Sequence, residues 1–108
     1  PNVYTNAKKD LTSNGATVLY TAPALTTSIV KSILVSEDSG NADTITLTIT
    51  DTAASPATFS IFKTKSISAN GTAELLTAPL VMKTGEILKA TAATADRLHV
   101  IASILEVS

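Results

Sequence analysis

His99 is the only imidazole in the 108-residue chain, so acid–base chemistry near neutral pH would have to pass through it. A general base needs a nucleophile or a carboxylate within reach. The neighbours of His99 in sequence are Arg97, Leu98, Val100 and Ile101, an alternating run that reads as a strand and not as a catalytic loop. An outward-facing polar side chain on a sheet accounts for it. A small hydrolase built on His99 and a carboxylate would still need a nucleophile, and no G-x-S-x-G elbow is present. The acidic stretch Glu37, Asp38 and Asp43 offers oxygens for calcium, but "EDSGNAD" does not follow the EF-hand order and reads as a solvated turn. There is no Cys, hence no disulfide and no thiolate metal site, and no Gly-rich phosphate loop. Paired carboxylates for glycoside hydrolysis can lie far apart along a chain. With no Trp and two Tyr, however, few aromatic platforms exist for a sugar. The expectation is a non-enzyme with no catalytic residue, no cofactor and no metal.

Composition narrows the partners. Eight Lys and Arg against nine Asp and Glu give a net charge of −1, without the basic stripe that nucleic acid requires. No apolar run reaches membrane-spanning length, and "PNVYTNAKKD" lacks the apolar stretch of a signal peptide. Pro1 reads as following a removed initiator Met, so synthesis in a cytoplasm is expected. The 18 Thr, together with Ile and Val, favour pleated, half-buried surfaces.

The elements that would position any site are strands. "DTITLTITD" (Asp43 to Asp51) alternates strictly, with Ile45, Leu47 and Ile49 on one face and four Thr on the other. "TSIVKSILVSE" (Thr27 to Glu37) is more continuously apolar. Ile29, Ile33 and Val35 fall on one side with Lys31, and Val30 and Leu34 on the other, so the strand is expected to be covered on both faces for part of its length. The two runs are expected to pair through the turn between them. "TFSIFKTKSIS" (Thr58 to Ser68) follows a small-residue loop around Pro56. Asn70-Gly71 then gives the strongest hairpin signal, with Thr72 to Ala78 returning. Further turns at Thr84-Gly85 and Ala93 to Asp96 separate "ILKATAA" from "RLHVIASILEV". A helix over the last segment is opposed by its Thr residues and by Val100-Ile101. The triplet Thr-Ala-Pro occurs twice, at Thr21-Ala22-Pro23 and Thr77-Ala78-Pro79, and reads as strand-ending punctuation. Seven to nine short strands with regular turns predict a single-domain, all-β antiparallel sandwich, jelly-roll-like. Residues 1–16 form an N-terminal arm or weak strand, and 17–108 the β-sandwich domain. Thr and Ser rows with apolar Val30 and Leu34 on both sides suit packing against another protein.

The run Tyr20 to Ala24, followed by Thr27, Ile29, Val30 and Ile33, and the later run Gly85, Glu86, Leu88, Ala92, Leu98, Val100 and Glu106 carry a further signal. Together they resemble a group of small β-sandwich virion proteins of tailed bacteriophages, from about Thr17 to Val107. Asn41 departs from the pattern by lying later than the usual Asn. The resemblance implies a structural role with no active site. Its favoured form is a capsid decoration, or cement, protein that binds the major capsid protein on the head surface and self-associates, most often as a trimer. The alternative it implies is a tail- or fibre-associated module contacting a host surface glycan or protein, with Tyr4 or Tyr20 as contacts.

Overall fold

In the computed structural model, which describes residues 1–53 and 55–108, these runs form nine strands. They are β1 (Asn2–Asp10), β2 (Thr17–Thr21), β3 (Thr27–Glu37), β4 (Asp43–Asp51), β5 (Ala57–Ile67), β6 (Thr72–Glu74), β7 (Leu80–Met82), β8 (Ile87–Ala92) and β9 (Leu98–Val107). Two antiparallel sheets result. One is ordered β1-β9-β3-β6, with β7 also on β3; the other is β2-β8-β4-β5. Ala54, in the loop expected around Pro56, lies outside the described residues. The fold is an antiparallel β-sandwich, and its connections are those of a jelly roll. Consecutive strands cross between sheets except at the β4–β5 hairpin and at β6 and β7, which together make one interrupted edge strand along β3.

The core is aliphatic. Ile45, Leu47 and Leu88 of one sheet meet Val30, Ile33, Val35, Val100 and Ile104 of the other, all essentially inaccessible to water. Each such side chain contributes about 1.5–3 kcal/mol of burial. Among the described residues no buried side-chain polar atom lacks a hydrogen-bond partner.

Three expectations about pairing and facing are corrected. The runs that become β3 and β4 do not pair, because β3 lies in one sheet and β4 in the other. The turn between them folds over the sandwich end around the buried Glu37 carboxylate instead of closing a hairpin. The Asn70-Gly71 turn does form, with Asn70 at φ 57° and Gly71 N–H donating to the Ser68 carbonyl at 2.9 Å. It too passes between sheets, from β5 to β6, and the returning strand is only Thr72–Glu74. Close approach favours Gly at 71, since a Cβ there would lie 2.2 Å from Ser68 Oγ and 3.0 Å from its carbonyl oxygen, so the Ser68 side chain would have to turn away.

The third correction concerns β3. A bulge between Val30 and Ser32 inserts Lys31 as an extra residue, which reverses the facing of everything before it. Val30 therefore joins Ile33 and Val35 in the core, while Ile29 and Leu34 face outward. The apolar run comes from this phase change and not from cover on both faces, and Val30 is not available to a partner. Bulges opposite β4 act similarly on β5 and place Phe62, not Ile61, across from the buried Leu47. The C-terminal segment is strand, as β8 and β9, and Asn2–Asp10 is a strand paired with β9 along its whole length.

Candidate functional site

At one end of the sandwich the β2–β3, β4–β5 and β7–β8 connections converge. The first Thr-Ala-Pro triplet sits here. Ala22 N–H donates to the Glu86 carbonyl at 2.9 Å, and Gly85 N–H donates to the Ala22 carbonyl at 3.0 Å. Gly85 has φ +84°, a left-handed geometry that suits Gly. Pro23 lacks an N–H and ends the ladder, while Ala22 is clasped by the turn sixty-odd residues later. The second triplet sits elsewhere, in the break between β6 and β7, so the two share chemistry but not a place. Thr84 Oγ1 then closes the loop twice, accepting from Thr26 N–H at 3.2 Å and donating to the Thr26 carbonyl at 2.9 Å. Thr52 Oγ1 donates to the Gly85 carbonyl at 2.8 Å. What this clasp presents is Leu25, 92% exposed and at φ 55°. A left-handed Leu costs about 1–2 kcal/mol, so the loop holds a large apolar side chain in water at an energetic penalty. An open depression of about 540 Å3 lies beside it, bordered by Asp51, Lys83 and Glu86.

Tyr20 and Glu106, far apart in sequence, meet just inside this end. Tyr20 OH donates to Glu106 Oε2 at 2.5 Å and lies 2.8 Å from the hydroxyl of the buried Ser28, which links β2 to β3 and β9 of the opposite sheet. Burial, with the Glu106 carboxylate as acceptor, pushes the Tyr20 phenol up to about 12. As a cross-sheet tie, its hydroxyl is not free to meet a sugar. Tyr4, the other proposed glycan contact, is 75% exposed on β1.

The opposite end gathers carboxylates. Glu37 accepts from the N–H groups of Ser39 at 2.7 Å, Asn70 at 2.9 Å and Gly40 at 3.1 Å, and from the Ser39 hydroxyl. Burial alone would raise its carboxyl; these bonds outweigh it and hold the group at about 2. Asp43 accepts from Thr94 N–H at 3.1 Å. His99 stands on β9 with Nε2 3.4 Å from Asp10 Oδ1 and Nδ1 3.6 Å from Asp38 Oδ2. Both ring nitrogens thus face carboxylates, and among the described residues no hydroxyl is hydrogen-bonded to either, although Ser36 stands across from His99 on β3. Of the acidic loop residues, Glu37 and Asp43 turn inward onto backbone N–H groups while Asp38 faces His99. Among the described residues, no cluster of three potential ligands could hold a metal.

The two outer faces differ in chemistry. The β2-β8-β4-β5 sheet shows mainly hydroxyls, as Thr44, Thr46, Thr48 and Thr50 of β4 lie beside Thr91 and Lys89 of β8. The β1-β9-β3 sheet instead carries an apolar row, in which Tyr4, Leu105, Ile29 and Val81 align across four strands. A second row aligns Lys8, Ile101, Leu34 and Glu74.

These features define a jelly-roll sandwich with an exposed apolar loop tip at one end and an apolar row on one outer face. No protein-family model matches the chain, and no curated protein matches it. Among solved structures it is similar to a chain of the acid-stable capsid of Helicobacter pylori bacteriophage KHP30, with TM-score 0.56, 10% identity, and 98% of this chain and 87% of that chain covered. It also aligns with the CBM22-1–GH10 modules of Clostridium thermocellum xylanase 10B complexed with xylohexaose (TM-score 0.49, 11% identity, 97% of this chain and 25% of that one). A third alignment is to the virus-like particle of Macrobrachium rosenbergii extra small virus (0.46, 16%, 98% and 77%). The first shows a shared sandwich fold; the other two are too loose to argue from.

Proposed function

We propose that this chain is a structural protein of a tailed-bacteriophage virion, a decoration protein that binds the major capsid protein on the head surface. The observation that carries the reading is the fold likeness to a chain of a phage capsid over 98% of this sequence. The preorganised loop end supports it: a strained, fully presented Leu25 is what an anchor entering a partner's apolar pocket requires, and its ordering cost is already met before binding. Many weakly held copies then stabilise a shell by mass action.

Co-sedimentation of purified protein with undecorated heads tests this directly, and heads that pellet without it would end the decoration reading. Leu25→Asn refines the test, because Asn tolerates the left-handed region. The variant should be more stable by about 0.5–1 kcal/mol and yet bind heads at least about tenfold more weakly.

A further inference from the structure

We propose that two copies of this chain pack face to face through the outer surface of the β1-β9-β3 sheet, about a two-fold axis running along the strands between β9 and β3. A rotation about that axis keeps each cross-strand row at its own height and exchanges its left and right ends. In the row Lys8, Ile101, Leu34, Glu74, it sets Lys8 of one copy over Glu74 of the other and Ile101 over Leu34. The same operation puts Tyr4 over Val81 and Leu105 over Ile29. Both rows are therefore complementary to themselves under one operation. A two-fold axis across the strands would set Lys8 over Tyr4 and lose the charge match.

The groups involved are available. Ile101 and Leu34 are 42% and 39% exposed at the centre, and Val81 is 58% exposed at the margin. Lys8 has no carboxylate partner within the chain among the described residues, only Asn6 Oδ1 at 3.3 Å. Glu74 is exposed at the edge. Burial alone would raise its carboxyl, but hydrogen bonds from the Ser32 hydroxyl to one oxygen and from Ile33 N–H at 2.8 Å and Leu76 N–H at 3.1 Å to the other hold it below the usual value. The area also suffices. Strands about 4.8 Å apart with residues about 3.3 Å apart give four strands a plan area on the order of 600 Å2, near the roughly 800 Å2 per partner of a standard interface. Because the axis follows the strands, both Leu25 ends point the same way, so a pair would offer a shell two anchors at once. That last consequence rests on the capsid reading; the pairing does not.

Sedimentation equilibrium on the purified chain tests the pairing, in place of the threefold arrangement that the sequence resemblance implies. A mass rising from one copy to two with concentration is expected. Ile101→Glu should raise the dissociation constant at least about 100-fold, with the thermal midpoint of the monomer preserved. Lys8→Glu should weaken pairing about tenfold, and mixing it with Glu74→Lys should yield a heterodimer, since both charge contacts are then restored. If Glu74→Lys fails to fold, the Ile101 and Lys8 variants carry the test alone. A monomer at every concentration, a three-copy mass, or association indifferent to Ile101→Glu overturns the proposal. Dimers that ignore heads would refute the capsid reading and leave this one standing; monomers that bind heads would do the reverse.

Discussion

The two ends of the sandwich are closed by different chemistry. Where Leu25 projects, the loops are clasped to one another by neutral groups, the Thr84 and Thr52 hydroxyls and the backbone of Ala22, Thr26 and Gly85. Carboxylates there act within single turns, Glu86 Oε1 accepting from Lys83 N–H at 2.7 Å and Asp51 Oδ1 from Ala53 N–H at 3.0 Å. At the far end the closing groups are ionisable, with Glu37 and Asp43 gathering N–H donors and His99 standing between Asp10 and Asp38. Neutral bonds do not titrate, whereas a carboxylate latch works only while it is charged. The clasp between loops that presents Leu25 therefore depends on no charged group, whereas the far end is built to respond to acid.

The contrast breaks most easily at Glu37. Glu37→Ala leaves three backbone donors without their acceptor, and the thermal midpoint should fall further than in any other variant here. Equal stability would mean that water replaces the carboxylate and that the far end is not latched. Next comes acid titration. Glu37 titrates at about 2 instead of 4.5, so its stabilisation is complete above about pH 5 and drains away as pH falls from 4.5 toward 2. Hydrogen exchange should show the Asn70 and Gly40 amides losing protection across that window while Ala22 and Thr26 hold theirs, and Glu37→Gln should flatten the response.

Thr84→Ala probes the neutral clasp. Losing two hydrogen bonds should cost about 1–2 kcal/mol, by the same amount at pH 7 and pH 3, in thermal melts. Tyr20 extends the comparison to base. Its phenol is raised from 10.0 to about 12, so its contribution is full below pH 10 and is lost as pH rises through 12. Ultraviolet titration of a Tyr4→Phe variant isolates it, and a normal tyrosinate transition would remove the cross-sheet tie. The smallest effect belongs to His99→Gln. Its two carboxylate contacts are more than one-third exposed, so stability should change by no more than about 1 kcal/mol.

Much of the architecture could be read from residue order. The bounds of β3 and β4 follow from composition and period, and the inward set Leu98, Val100, Ala102 and Ile104 is the one that the alternation marks. Pairing could not be read the same way, because turn residues specify a reversal and not which sheet the chain re-enters. Asn70-Gly71 is a tight turn wherever it leads. Facing failed at Lys31 because a one-residue bulge leaves no mark on composition while inverting a period of two. The Glu37 nest was visible only as an acidic loop, since its donors come partly from Asn70. Tyr20 and Glu106 both stood in the segments that carry the phage resemblance, but nothing in either segment says that they touch.

One property of the jelly roll bears on how the molecule is made. β9 lies between β1 and β3, and Asn2 pairs with Val107. During synthesis β1 has no neighbour in that sheet, and β3 only the short β6 and β7, until β9 leaves the ribosome. Non-local pairing of this kind folds slowly, and the waiting chain exposes strand edges that can seek other chains. Arrival of β9 is thus the step that completes the sheet. A polypeptide broken off before Leu98 can still pair β2, β8, β4 and β5 but leaves β1 without a partner and one edge of β3 open, which makes it a target for degradation.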